Sequence, residues 1–220
     1  KNISVGFHAI EFLIWGPDFK DPGNKKPGQR TYQSFVNHPL YERRKKYLLV
    51  VSELLTENIE YVADQWRENG AYRKSFLALS DEQAMQKILT GMYMLSKDEL
   101  AGERMYTALS NADQEDEQSC FSDHTTSDIR MNALGIMNLV RGSYKSIDGS
   151  TIEGVGLQDI LEEKYTFEET FEKVKKIPHP FDNALLEEQE KENGPILTAV
   201  IALQEQGDFL EEYLLQIQQK

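Results

Sequence analysis

His8 and Glu11, near the start of the chain, are the sharpest chemical feature of the sequence. They stand three apart in Gly6-Phe7-His8-Ala9-Ile10-Glu11, so a helix carries both on one face. An imidazole and a carboxylate at that separation share a transition metal or hydrogen-bond each other, and the spacing admits both. Gly6, just ahead of the pair, leaves room for a backbone or ligand to approach. Phe7, Ile10 and Ile14 line a neighbouring face and predict buried surroundings for the pair.

A second cluster lies farther along. Glu103 and Arg104 precede the polar run Asp113 to His124, which includes Glu117, Ser122 and Asp123, and Asp128 and Asn132 follow four apart. Residues 98–128 hold nine acids and one base, so −8 of the chain's −13 formal charge sits there. Residues 20–46 hold eight bases and two acids, a local +6. Carboxylates this dense repel one another unless a cation or Arg offsets them. Two readings follow: a solvated acidic face with helix caps at Ser122, Asp123 and Asp128, or a set of oxygen ligands facing His8 and Glu11 in a cation-concentrating pocket.

Several chemistries are excluded at the level of motif. The acidic balance argues against binding a nucleic-acid backbone, which needs a basic face. Cys120 is the only cysteine among 220 residues, so intrachain disulfides and Cys-rich zinc sites are impossible. The sequence has no H-E-x-x-H, no Glu-x-x-His pair, no EF-hand loop, no phosphate-binding glycine loop and no G-x-S-x-G elbow. No apolar run is long enough to span a membrane.

The elements that must position these residues read as helices. Ile3, Phe7, Ile10 and Ile14 make one helix face, which Trp15-Gly16-Pro17 ends. Residues 17–38 form a loop of a length that is usually functional. From Pro39 a long helix carries Tyr47, Val51, Leu55, Ile59, Val62 and Trp66 as its buried stripe, with a stop at Gly70. A short piece covers 71–78. Ser80 to Gln83 reads as a capping box ahead of a helix with Ala84, Ile88, Met92 and Leu95, continuing toward Leu109. Residues 110–124 are a loop. A helix from about Thr126 to Tyr144 follows, then a glycine-rich loop from Asp148 to Gly156 and a short helix over Leu157 to Glu163. Thr166 to Glu169 reads as a second capping box, Pro178-His179-Pro180 as a break, and helices from about Asp182 and Pro195 finish the chain, with a bend at Gly207. No stretch alternates like a strand, so no sheet is expected.

The two chemical clusters together resemble a known family. G-F-H-A-I-E-F-L-I-W-G resembles the Gly-x-His-x-x-Glu signature of imelysin-like proteins. E-R-M-Y followed by D-Q-E-D-E-Q-S-C-F-S-D-H-T-T-S-D-I resembles that family's second block, Glu-Arg then Glu-x-Glu-His-Ser-Cys-Phe-Ser-Asp-Asn-Thr-His-x-Asp-Ile. The resemblance is close over residues 4–145. This chain departs from the pattern at Gln118 and Thr126, where the family has His, and at His124, where it has Asn.

The resemblance implies an all-α fold built from helical bundles, one imelysin-like domain over 1–220: signature helix 1–16, loop 17–38, main bundle 39–147 and C-terminal helices 148–220. It implies the C-terminal part of a longer protein that starts just ahead of the signature, with the signature beside a cleft between two bundle-like halves. It also implies a bacterial extracytoplasmic protein, periplasmic or lipid-anchored, tied to iron uptake. On that reading His8 and Glu11 bind iron or another divalent metal, or a metal-bearing small ligand. Glu103, Asp123 and Asp128 add carboxylates, Arg104 orients one of them, and Gly6, Glu117, Ser122 and Asn132 support the site. The expected partners are that ligand and the preceding helical part or a partner chain. Two alternatives stand beside it. One is an imelysin-type metallopeptidase, with His8 as ligand and Glu11 as ligand or base. The other is an interaction module that docks through the basic 20–46 and acidic 98–128 segments.

Overall fold

The computed structural model describes residues 4–18, 26–161, 165–189 and 193–218. They divide into two compact units, one of Lys1–Ala84 with Ser119–Asp123, the other of Met85–Gln118 with His124–Lys220. About 70% of the chain is helical. Among the described residues no helix is long and apolar enough to cross a membrane.

The first unit is built on α1 (Phe7–Trp15), a 3₁₀ turn (Tyr32–Phe35), α2 (Tyr41–Trp66) and α3 (Ala71–Leu77). Gly16, with φ 81°, ends α1 and donates its N–H to the Phe12 carbonyl, so the glycine stop forms where the sequence places it. The buried face of α1 differs from expectation: Ala9 and Leu13 are buried, whereas Phe7 and Ile14 are 67% and 47% exposed. The physical reason is that α2 meets this short helix at Leu13, while 119–123 meets it at Glu11 and Phe12, and neither covers Phe7 or Ile14. In α2 only Val51 of the anticipated stripe is buried, and Tyr47, Ile59, Val62 and Trp66 are exposed. Trp66 instead meets the rings of Tyr72 and Phe76 of α3, at 4.9 and 5.7 Å between centroids. Beyond α3 the Ser80 capping box is formed in both directions. Ser80 Oγ accepts from the Gln83 N–H at 3.2 Å, and Gln83 Oε1 accepts from the Ser80 N–H at 3.3 Å.

The second unit holds the dense core. One helical run passes from α4 (Asp81–Tyr93) through a π-helical stretch (Met94–Tyr106) into α5 (Thr107–Asn111). A π stretch longer than a single turn is rare. Here it is seated on α9 (Pro195–Gln218): buried Ser96 donates to the Leu203 carbonyl at 2.8 Å and accepts from Gln206 Nε2 at 3.0 Å. Gly207 lies against Lys97, where a Cβ would come within 2.5 Å of the Lys97 Cβ. The glycine therefore marks a close helix approach inside a continuous α9, not the anticipated bend.

Around this pair stand α6 (Thr125–Arg141), α7 (Phe167–Lys175) and α8 (Phe181–Gln189). Tyr165 stacks on Phe209 of α9, and Phe167 meets that ring edge-on. Arg130 donates to the carbonyls of Lys175 and Ile177, closing the end of α7. Glu188, 5% exposed, accepts the Ile196 and Leu197 N–H groups and so supplies the opening of α9 with a buried carboxylate.

Three local expectations give way. A small hairpin pairs β1 (Ser143–Lys145) with β2 (Thr151–Glu153), with Ser143 opposite Glu153. Its strands are too short to alternate visibly, and the Asp148-Gly149 turn, with Gly149 at φ 87°, closes them. The Thr166 box does not form, because the Thr166 side chain makes no cap hydrogen bond although α7 opens there. The short helix over Leu157 to Glu163 is a 3₁₀ turn, Leu157–Asp159, and residues 162–164 lie outside the described set.

Candidate functional site

The site begins with α1, and α1 begins with a glycine. Gly6 sits at φ 88°, a left-handed value that side chains resist, and a Cβ there would meet nothing within 4 Å. The backbone angle is thus a reason for this glycine of its own, and the space beside it is open.

One turn on, His8 Nδ1 lies 3.0 Å from Glu11 Oε2. The other carboxylate oxygen, Oε1, accepts from the Ser122 N–H at 2.9 Å and the Ser122 hydroxyl at 2.7 Å. Glu11 is thus occupied at both oxygens and its side chain is 11% exposed, against 35% for His8. A carboxylate only accepts, so the Nδ1 proton belongs to this bond and the neutral ring carries its lone pair on Nε2. That is the arrangement in which a carboxylate orients a histidine ligand. Glu11 acts on His8 and Ser122 together, a polar brace across 111 residues of sequence.

The same strap is held by apolar and backbone contacts. The Phe121 ring meets Phe12 edge-on at 5.1 Å, and its carbonyl accepts the Gly28 N–H at 2.9 Å. Gly28 lies so close to the Trp15 and Gly16 carbonyls that a Cβ would fall 2.5–2.7 Å from them. Arg30 spreads its guanidinium over Phe12 at 5.4 Å and donates to the Phe12 carbonyl. Gly28, Arg30 and Phe121 carry no metal-ligand or nucleophile signature, and so the sequence reading passed over them. The visible signal was the unusual length of the loop holding Gly28 and Arg30.

The remaining candidates fall in two places. Asp123, beside Ser122 in the first unit, is buried and has a left-handed backbone, φ 57°, a conformation that Asp tolerates better than most residues. The others belong to the second unit. Glu103 and Arg104 are exposed on the π stretch, and Arg104 pairs with Glu99 at 3.0 Å. Glu117 is buried, Asp128 is half-buried in the first turn of α6, and Asn132 donates to the Asp128 backbone carbonyl at 2.9 Å. Thr126, where the family pattern has His, is buried and holds the Pro178 carbonyl at 2.7 Å. Gln118 leaves a buried Oε1 with no hydrogen-bond partner among the described residues.

Within the first unit, then, the structure brings together His8, Glu11 and Ser122. Among the described residues no three His, Cys, Asp or Glu side chains form a group that could hold a metal ion. Both Glu11 oxygens are engaged within the protein, by His8 and by Ser122. A search among curated proteins returns no match to the chain. The family model of Imelysin matches residues 1–209, spanning both the His8–Glu11 helix and the Ser122 strap. The chain belongs to the imelysin family.

Proposed function

We propose that this is a binding member of the family, an extracytoplasmic protein whose cargo is iron, another divalent metal, or a small ligand that bears one, in the service of iron uptake. The observation that carries this reading is the His8–Glu11–Ser122 brace, in which Glu11 fixes the imidazole so that Nε2 is its ligand atom. A cargo that brings donors of its own suits a site with one oriented histidine. Proteolysis is the weaker reading: both Glu11 oxygens already accept hydrogen bonds, from Ser122 on Oε1 and from His8 on Oε2, so the carboxylate is committed to holding its neighbours.

Calorimetry of the intact chain with ferric citrate, zinc chloride and calcium chloride tests the proposal. Binding of ferric citrate or zinc is expected to fall at least about tenfold in His8→Ala, and by less in Ser122→Ala, where the brace is weakened but the imidazole remains. Equal affinity in the intact chain and His8→Ala removes His8 from the role.

The exposed apolar residues of α2, Ile59, Val62 and Trp66, favour a second reading in which a further helix covers that face. Analytical ultracentrifugation over a concentration series, with Val62→Lys as control, distinguishes self-association from a monomer.

A further inference from the structure

We propose a second binding site in the first unit, for an amphipathic organic anion: a small carboxylate with an apolar body. A pocket of about 470 Å³ opens between α1 and the start of α2, inside the roughly 300–1,000 Å³ range of small-molecule sites. Its apolar wall is Leu13, Leu40, Tyr47 and Val50, and its charged wall is Arg43, Arg44 and Lys46. Leu13 is two residues beyond Glu11, about 200° around α1, so the pocket and the polar brace use opposite sides of that helix.

The electrostatics of the pocket are one-sided. Its lining contains no acid. Among the described residues, Arg43, Arg44 and Lys46 have no carboxylate partner, and Arg44 is fixed by donating to the Ser34 carbonyl at 2.9 Å. These cations stand in the opening turns of α2, where the helix dipole already repels positive charge. Burial, and then the Arg44 charge, hold the Arg30 guanidinium below its ordinary value, so the positive field reaches beyond the pocket itself. An anion relieves that repulsion. At the same time half-exposed Leu40 and Val50 offer apolar surface that an inorganic ion would leave wet. A ligand with both properties, a carboxylate for Arg43 and Lys46 and a short chain or ring for the Leu13 side, satisfies both walls. This site stands independently of the metal-cargo reading.

Calorimetry of the intact chain with octanoate is the test. Octanoate is expected to saturate at one per chain. Acetate, which has the head alone, octanol, which has the body alone, and inorganic phosphate are each expected to bind at least about tenfold more weakly. Arg43→Ala with Lys46→Ala is expected to weaken octanoate at least about tenfold with an unchanged circular dichroism spectrum. Val50→Asp, which puts a carboxylate at an exposed point of the wall, is expected to abolish binding and keeps the test decisive should the double variant fail to fold. The proposal is overturned if acetate or phosphate binds as tightly as octanoate, or if a folded variant retains full affinity. It is equally overturned if phosphatidylglycerol vesicles bind and octanoate does not, which assigns the basic surface to membranes.

Discussion

Helices α2 and α9 are nearly equal in length, 26 and 24 residues, and both repeat apolar residues every three or four positions. In α9 nine residues are buried, from Ile196 to Leu214. In α2 only Val51 is. A helical period therefore tells which face is able to be buried, whereas burial itself requires a second surface to meet it. The second unit provides one for α9, in the π stretch and the Tyr165–Phe167–Phe209 rings. The two proposed binding sites follow the same contrast: the well-packed unit has spent its apolar surface on itself, while the first unit keeps a polar brace, a basic pocket and, among the described residues, an exposed apolar face on α2.

The largest effect that sharpens this contrast is a pair of truncations. Leu203→Ala, at 1% exposed, is expected to cost about 2–5 kcal/mol, the usual range for emptying a packed core position. Ile59→Ala, at 49% exposed, is expected to stay within about 0.5 kcal/mol. Urea unfolding of both variants measures the difference. A cost for Ile59→Ala comparable to that for Leu203→Ala breaks the comparison and means that α2 is covered in solution.

A smaller effect comes from two glycines. Gly207→Ala forces a Cβ to within 2.5 Å of the Lys97 Cβ and is expected to destabilise by about 1–3 kcal/mol. Gly91→Ala, in α4 with nothing within 4 Å of the new Cβ, is expected to stabilise by about 0.4–1 kcal/mol, because the unfolded chain loses freedom that the helix never used. The two signs are read from thermal unfolding, and a stabilising Gly207→Ala would mean that α9 does not lie against Lys97 as described.

The features legible in the sequence share one physical property: their causes are local. The Ser80–Gln83 box closes within one helical turn, and it formed. The helix stop at Gly16, the break at Pro178 and the all-α class rest on similar short-range preferences. At Thr166, matching residue types did not suffice, since the helix opened without its side-chain cap. The His8–Glu11 pairing was readable from a spacing of three, but what Glu11 does was not, because its partner Ser122 is 111 residues away and nothing local announces it. The same holds for the exposure of Phe7 and Ile14 and for the tight seat of Gly207, which depend on what lies across from them. The acidic run from 98 to 128 was visible as charge, yet its members scatter among an exposed ion pair, a helix start and buried positions.

The smallest effect concerns the ion pair that ties α6 to α7. Arg141 Nε and Nη2 donate to the two oxygens of Glu168 at 2.9 and 2.8 Å, a bidentate pair on the surface of the second unit. The hydrogen bond from Arg141 is the main reason the Glu168 carboxyl lies below its ordinary value of 4.5. A depressed carboxylate stabilises the fold above its unfolded value, and that stabilisation is lost as pH falls through the folded value. Arg141 stays charged throughout, so the change comes from Glu168 alone. The Glu168 side chain is 58% exposed and solvent screens the pair, which limits the contribution to roughly 0.5 kcal/mol. Glu168→Gln is therefore expected to be less stable than the intact chain by about that amount at pH 7, with the gap closing below pH 4.5 and narrowing in about 1 M salt. Chemical unfolding at pH 7 and at a series of pH values descending below 4.5, with and without salt, measures it. A gap that stays constant over the whole descending series assigns the effect to packing of the Glu168 stem, and would make α6–α7 another apolar contact of the kind that holds α9.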